Sequence, residues 1–147
     1  MLFRSQAMTY DQAANLTPNG YTKTGYTFTG WNTQADGGGT VYTDAQNVVN
    51  LTAAEGETVT LFAQWRANNY LVTFEGNTAD SGSTQDQAMT YDQAVNLTVN
   101  GYTKTGYTFT GWNTQADGGG TTFTDEQSVV NLSPNEGSHC LRVQENC

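Results

Sequence analysis

Residues 25–44 read GYTFTGWNTQADGGGTVYTD, and residues 106–125 return the pattern as GYTFTGWNTQADGGGTTFTD. In the first part of each stretch, aromatic residues alternate with threonines, which is the two-residue period of a half-buried strand. The Asp-Gly-Gly-Gly run that follows is a turn signal and leads into a second short strand. Each stretch therefore predicts a strand, a turn and another strand, and the chain contains this arrangement twice.

The repeat extends well beyond these residues. Residues 6–52 recur at 87–133 with an offset of 81 and without a gap, and 40 of the 47 positions are identical. The positions that differ are 14/95, 18/99, 41/122, 42/123, 45/126, 47/128 and 52/133. Near-identical modules in series are typical of arrays that supply length or multivalency, whereas a catalytic site is seldom needed twice.

Other segments complete one period of the repeat. Residues 70–75 (YLVTFE) and 58–65 (TVTLFAQW) alternate apolar and polar side chains, and both predict half-buried strands. Residues 88–91 form a shorter strand candidate. Residues 11–16 and 92–97 each begin with an aspartate that could cap a helix, so we expect one or two helical turns at both places.

Composition favours a β-rich protein and excludes some partners. The chain has 16 Gly and 25 Thr, with 12% aromatic and only 13% charged residues, a mixture that suits strands and turns. The net charge of -9 repels the phosphate backbone of nucleic acid and an anionic membrane surface. We therefore expect neither nucleic acid nor a membrane surface as a partner.

The chain shows no sign of a membrane span, a leader or a cysteine framework. Its apolar runs are much shorter than the roughly 18 residues that a membrane span requires, so we expect no membrane insertion. Residues 1–5 (MLFRS) lack the apolar stretch of a signal peptide, and we expect any export signal to lie outside the sequence. Cys140 and Cys147 both fall in the last eight residues, which supports neither a disulfide scaffold nor a zinc site.

The run GYTFTGW, the glycines after it, and the later GETVTLFAQW at 56–65 resemble the Listeria-Bacteroides repeat, also called the internalin B-repeat. The resemblance covers nearly all of residues 6–137. It implies an α+β, mostly β fold: tandem small β-grasp-like (SUMO-like) modules, in each of which a hairpin, a short helical segment and further strands form one mixed sheet. It also implies arrays in secreted or wall-anchored bacterial surface proteins, with no catalytic residues and no cofactor.

Against that pattern, the chain divides into module 1 at residues 1–66 and module 2 at residues 67–147. The opening strand of the family is present only at 70–75, so module 1 lacks it. The closing strand is present only at 58–65, so in module 2 an atypical tail at 138–147 replaces it. A shifted reading frame or a truncated gene would explain such a tail.

We expect the tail to be a poor substitute for a closing strand. Aligning Gly137 with Gly56 makes three of the four core-facing positions polar. A slip of one residue would instead turn Leu141 and Val143 inward, because neighbouring side chains of a strand face opposite sides.

Aromatic and apolar residues on the strand faces are the core candidates. Trp31 and Trp112 could serve as exposed platforms for stacking sugars, but in modules this small we favour a place in the core, where each is expected to pack near the two preceding aromatic residues. The core candidates are Tyr26, Phe28, Trp31, Leu61, Trp65, Val72, Phe74, Tyr107, Phe109 and Trp112.

Motifs that suggest chemistry have simpler explanations. Asp36 and Asp117 stand beside three glycines, but the alternating carboxylates of a calcium loop are missing, so a plain turn is favoured. The glycines are not followed by Lys-Ser/Thr and cannot form a phosphate loop. His139 and Cys140 are neighbours on a predicted strand, so their side chains point to opposite faces and do not form a catalytic pair. Four Asn-Leu-Thr/Ser sequons begin at Asn15, Asn50, Asn96 and Asn131, and we expect them to be unmodified in a bacterial protein.

The sequence therefore predicts a non-catalytic tandem repeat segment of a bacterial protein on the cell surface or secreted. We expect it to act as a stalk or spacer and as a protein-interaction module in adhesion, with host or neighbouring surface proteins as partners. The alternative is a carbohydrate-binding module of a cell-surface protein, since Trp, Tyr and Asn lie near Gly-rich loops. A hydrolase with an aspartate pair is disfavoured, because no motif brings two carboxylates together.

Overall fold

A computed structural model describes residues 5–146, with the backbone alone for Asn146. The chain separates into two compact units, unit 1 up to Arg66 and unit 2 from Ala67 onward. The strands up to the end of unit 1 are β1 (Ala14–Asn15), β2 (Tyr26–Asn32), β3 (Val41–Tyr42), β4 (Asn47–Val48) and β5 (Phe62–Ala67). Those of unit 2 are β6 (Asn69–Glu75), β7 (Ser81–Gly82), β8 (Gln87–Thr90), β9 (Val95–Asn96), β10 (Tyr102–Thr103), β11 (Thr108–Asn113), β12 (Thr122–Phe123), β13 (Ser128–Val129) and β14 (Gly137–Asn146).

Unit 2 is built on a five-stranded mixed sheet in the order β12-β11-β14-β6-β8. The first strand of the unit, β6, and the last, β14, lie side by side and run parallel, with Tyr70 opposite Gly137 and Phe74 opposite Leu141. The remaining pairs of this sheet are antiparallel. Two small ladders, β10 with β7 and β13 with β9, lie outside the main sheet.

The alternation within β6 creates the core of unit 2. Tyr70, Val72 and Phe74 are buried, whereas the residues between them are less so. Phe74 packs on Trp112, with 4.7 Å between the ring centroids. The core is completed by Met89, Leu97, Phe123, Val129, Leu141 and Val143. The alternating apolar residues of the sequence thus form one buried face, as expected of a strand packed on one side.

The tail at 138–147 forms a strand over its described residues. The expectation that it stabilises the unit less than the closing strand of the family stays a prediction. Leu141 and Val143 are 0% and 1% exposed. The alignment of Gly137 with Gly56 is off by one residue, because Gln144 lies against Gly118 as Gln64 lies against Gly37, an offset of 80 instead of 81. The slipped register puts the tail's two apolar residues into the core.

The expected helical turns are also absent, and the α+β class with it: the described residues form no helix and the fold is all β. Asp11 has a φ of 60° and lies in a turn in which the Gln12 amide donates to the Thr9 carbonyl. The Asp11 amide donates to the side chain of Asn50, which donates back to the Asp11 carboxylate. Because this clamp holds Asp11 in the left-handed region, a helix cannot begin there. Asp92 is held in the same way.

Unit 1 repeats part of this architecture. It has a three-stranded sheet in the order β3-β2-β5 and a separate ladder of β1 with β4. The strands β1 to β4 correspond to β9, β11, β12 and β13 of unit 2. Equal sequences therefore form equal local structure over most of the repeat, as expected. Counterparts of β6, β7, β8 and β10 are absent from the described part of unit 1.

The core candidates differ in how deeply their side chains are buried. Val72, Phe74 and Trp112 are buried. Tyr107 is 43% exposed, so its assignment to the core is wrong. Tyr107 lies just before β11, in a turn where its amide donates to the Lys104 carbonyl and the Lys104 ammonium lies 4.3 Å from the centre of its ring. The other candidates are half-buried, and they are Tyr26, Phe28, Trp31, Leu61, Trp65 and Phe109.

Candidate functional site

The most elaborate loop in each unit is held by a buried asparagine. The Asn32 side chain accepts hydrogen bonds from the amides of Gln34 and Gly39, at 2.9 and 3.0 Å, and donates to the Gly37 carbonyl at 3.0 Å. Asn113 makes the corresponding bonds to residues 115, 118 and 120. Sequence reasoning missed both asparagines, although the repeated Trp-Asn-Thr before three glycines marks them.

The aspartates of these loops stabilise turns. The Asp36 carboxylate accepts a hydrogen bond from the Gly38 amide at 2.9 Å, and Asp117 accepts the same bond from Gly119. Across residues 5–146, no group of three or more His, Cys, Asp or Glu side chains lies close enough to hold a metal ion. The two aspartates therefore stabilise the turns that follow β2 and β11.

The tryptophans that could stack on sugars are packed against other rings. Trp112 is 0% exposed and makes edge contacts with Phe109 and Tyr102, at centroid distances of 5.2 and 6.4 Å. Trp31 is half-buried and contacts Phe28 at 5.2 Å. The indole nitrogens of Trp31 and Trp112 are both buried and have no hydrogen-bond partner among the described atoms. Trp112 consequently has no face available for a ligand in this conformation.

The sequon asparagines have structural partners. Asn50 and Asn131 form the clamps with Asp11 and Asp92, and their side-chain amides donate at 2.7 Å. The Asn15 side chain accepts a 2.7 Å hydrogen bond from Asn47 across the β1–β4 ladder. These amides hold together segments that are distant in sequence.

His139 and Cys140 lie side by side on β14, where they pair with Val72 and Thr73 of β6. Burial lowers the pKa of His139 below 6.5, and its Nε2 atom is buried without a hydrogen-bond partner among the described atoms. Adjacent residues of a strand face opposite sides, so the two side chains do not converge.

The lowered pKa of His139 predicts that unit 2 loses stability in mild acid. Burial makes His139 harder to protonate in the folded state than in the unfolded state. The stability that neutral His139 allows is therefore fully present above the unfolded pKa of 6.5 and is lost as the pH falls below that value. The free energy of unfolding, measured by urea titration between about pH 7.5 and about pH 5.5, should decrease less in His139→Gln than in the parent protein. Equal decreases in the two proteins would contradict the assignment.

Unit 1 carries an open groove that the sequence did not reveal. The groove has a volume of about 960 Å³ and is lined by Met8, Leu16, Trp31, Leu51 and Leu61, together with polar residues such as Gln6 and Glu57. Met8 is 37% exposed, whereas its counterpart Met89 is 3% exposed in the core of unit 2. Among the features described, this groove is the best candidate for an interaction site, because apolar side chains line an open surface there.

The fold and these sites together define a class of protein, a tandem all-β repeat protein. The asparagine and aspartate side chains described above form hydrogen bonds within its units. The profile of the Listeria-Bacteroides repeat domain matches residues 3–64 and 70–133. The chain belongs to the Listeria-Bacteroides repeat family.

Relatives share one part of their length with this chain. A protein of Evansella cellulosilytica, named as a Gly-rich membrane protein, is 44% identical over 100 residues, which are 67% of this chain and 12% of that protein. A second protein of the same organism, named as a membrane protein, is 40% identical over 103 residues, or 69% and 14% of the two chains. Internalin H of Listeria monocytogenes is 39% identical over 102 residues, or 69% and 17%. The chain thus spans less than a fifth of each of these relatives, and no solved structure matches it significantly.

The structure contains no membrane-spanning helix within the residues it describes.

Proposed function

We propose that this chain is a non-catalytic repeat segment of a bacterial surface or secreted protein, in which it acts as a spacer and as a protein-interaction module in adhesion. The observation that carries the proposal is the tandem arrangement: two successive units, divided between Arg66 and Ala67, share a 47-residue sequence that recurs at an offset of 81. Repeats in series add length and binding sites without a new active site. The likeness to an internalin and to proteins named as membrane proteins supports a place at the cell surface.

The polar side chains support a role without catalysis. Asp36, Asn50 and Asn32 are occupied by hydrogen bonds within their own unit, and their counterparts in unit 2 are occupied in the same way. A catalytic site requires side chains that converge on a place where substrate can bind. The side chains named here instead join segments of the chain.

We also propose that unit 2 is a β-grasp-like module that lacks the usual helix. In its sheet the first and last strands are parallel neighbours in the centre, and each is flanked by an antiparallel partner. A single mixed sheet is what the family resemblance implies, and this sheet supports the proposal. The segment between β8 and β11, where the helical turns were expected, contains the short strands β9 and β10.

The second candidate function, carbohydrate binding, has one supporting observation. A shallow surface of unit 1 is lined by Tyr21, Trp31, Phe62 and Trp65, and aromatic rings of this kind can stack on sugars. The buried Trp112 shows that unit 2 offers no such face from its equivalent tryptophan. A glycan site formed in this way would therefore belong to unit 1 alone. The duplication of the module would then not have duplicated the binding site, which disfavours this function.

A surface-display experiment tests the spacer role. A small reporter domain is joined to a bacterial wall anchor through one, two or four copies of residues 67–147, with flexible Gly-Ser linkers of matched length as controls. Access of a large antibody to the reporter should rise with each added copy and exceed that of the matched flexible linker, because folded modules are less compressible than a coil. If access does not depend on copy number, the spacer role is wrong.

A parallel titration addresses the glycan alternative. Cell-wall and host glycans are added to the chain while Trp emission is recorded, with Trp31→Ala as the matched variant. We expect no saturable change. A saturable change that Trp31→Ala abolishes would favour carbohydrate binding.

A further inference from the structure

The strands that begin and end unit 2 are neighbours in the middle of its sheet. Strand β6 begins two residues after Ala67, where the unit starts, and β14 is the last strand described in it. The two strands run parallel and pair over six residues, beginning with Tyr70 opposite Gly137. The last pair is Glu75 with Arg142. The amino-terminal end of β6 and the carboxyl-terminal end of β14 therefore lie at opposite ends of one ladder.

Tension along the chain loads this ladder in shear. A pull on the residues before β6 and a pull on the end of β14 act in opposite directions along two parallel strands. The hydrogen bonds of a parallel ladder are evenly spaced, so they share such a load, and none opens before the strands slide. A pull on two adjacent strand ends would instead open the residue pairs one after another. Rupture of several hydrogen bonds in one step has a higher barrier than rupture one at a time.

Both loaded strands are also held on their other edges. Strand β8 pairs with β6 and strand β11 pairs with β14, each in an antiparallel ladder. Val72 of β6 and Leu141 of β14 are both 0% exposed, so a sliding movement has to pull buried side chains past one another. Neither strand can therefore leave the sheet without breaking a second ladder and disturbing the core.

Side-chain hydrogen bonds join the two strands' flanking segments at both ends of the ladder. Before β6, the Asn68 side chain donates to the Pro134 carbonyl at 2.9 Å. After β6, the Asn77 side chain donates to the Val143 carbonyl at 2.8 Å. Each of these bonds connects the β6 side of the chain to the β14 side, more than sixty residues away. Both bonds therefore resist the same sliding movement as the ladder.

We propose that unit 2 bears mechanical load, with the β6–β14 ladder as a shear clamp that keeps the unit folded when tension acts between its two ends. The inference rests on the proposed function, because a spacer in adhesion is under tension whenever the attached partner is pulled. It adds to that function a resistance to force in one direction. A spacer without such a clamp would unfold and lengthen under the load that it transmits.

Pulling on the whole chain in two directions tests the proposal. Optical tweezers hold the chain at Arg66 and at its C-terminus, which loads the ladder in shear, or at Arg66 and Asn135, which separates the adjacent ends of β6 and β14. Asn135 is exposed and lies two residues before β14. At equal force, the unfolding rate of unit 2 should be lower by about tenfold or more in the first arrangement, because several hydrogen bonds must break in one step. Equal rates in the two arrangements would overturn the proposal.

Two matched variants locate the clamp. Val72→Ala truncates a buried side chain within the ladder, and Val129→Ala makes the same change in β13, which is buried but lies outside the main sheet. With the load between Arg66 and the C-terminus, Val72→Ala should raise the unfolding rate by about threefold or more, whereas Val129→Ala should leave it within about twofold. The reason is that contacts still present in the transition state do not change the rate of unfolding. A larger effect of Val129→Ala would place the resistance elsewhere and contradict the clamp.

Failure of the clamp and failure of the spacer role are distinguishable. The pulling experiment compares two directions of force on one folded unit, so its result does not depend on antibody access to a displayed reporter. Equal unfolding rates in the two directions overturn the clamp and leave the copy-number test of the spacer unaffected.

Discussion

Trp112→Ala is expected to lower the free energy of unfolding of unit 2 by about 3–5 kcal/mol, the range for truncating a buried aromatic side chain. Trp112 is fully buried between Phe74, Phe109 and Tyr102, and its removal leaves a cavity bordered by β6 and β11. Since small domains are stable by only about 5–15 kcal/mol, this loss would leave unit 2 marginal or unfolded. Urea denaturation followed by circular dichroism measures the effect.

The duplication supplies the matched control. Trp31→Ala changes the same residue in the same local sequence, but Trp31 is half-buried and no strand like β6 covers it in the described unit. Its truncation should therefore cost clearly less than that of Trp112. Equal costs would show that the local hairpin, and not β6, determines the energetics of the tryptophan.

Leu141→Ala is expected to destabilise unit 2 by about 2–5 kcal/mol, as for other fully buried leucines. Leu141 is 0% exposed in the central strand β14, opposite Phe74 of β6. The result would establish that the tail is the closing strand of the unit, in the register that turns Leu141 and Val143 inward. Denaturation midpoints of the variant and the parent give the difference.

The adjacent Arg142 provides the control on the other face of the same strand. Its guanidinium contacts the Glu75 carboxylate at 2.9 Å and donates to the Thr114 carbonyl at 3.0 Å, and the side chain remains partly exposed. Exposed ion pairs contribute about 0–1 kcal/mol, so Arg142→Ala should cost less than Leu141→Ala. If Arg142→Ala cost more, β14 would bury the opposite face and the register with Leu141 inward would be wrong.

Period-two alternation predicted several strands correctly because it reports directly on a buried face. The segment 70–75 is strand β6 with one residue added, and the stretch GYTFTGW yields β2 and β11. The family resemblance, which rests on the same residues, is confirmed over both copies. The turn at Asp36 was also expected, and the structure shows the hydrogen bond that holds it.

Other features depend on partners distant in sequence, which a local pattern does not contain. The helical turn expected at residue 11 fails because Asn50, 39 residues away, clamps Asp11. The register of the tail is set by pairing with β6 on one side and β11 on the other, and a shift of one residue exchanges the two faces of a strand.

One four-residue sequence, QAMT, occurs at both Gln6–Thr9 and Gln87–Thr90. Comparing the two copies shows which properties follow from local sequence and which depend on the tertiary structure. The sequence alone determined that the repeat occurs twice, that its apolar residues alternate, and that a turn falls at the Asp-Gly-Gly-Gly run, since these are local properties of each copy. The sequence made residues 88–91 a strand candidate, but only the tertiary structure decided that this copy is a strand with Met89 buried while Met8 in the other copy stays exposed. The physical reason is that a strand is stable only with a neighbour to satisfy its backbone hydrogen bonds, and β6 is that neighbour in unit 2.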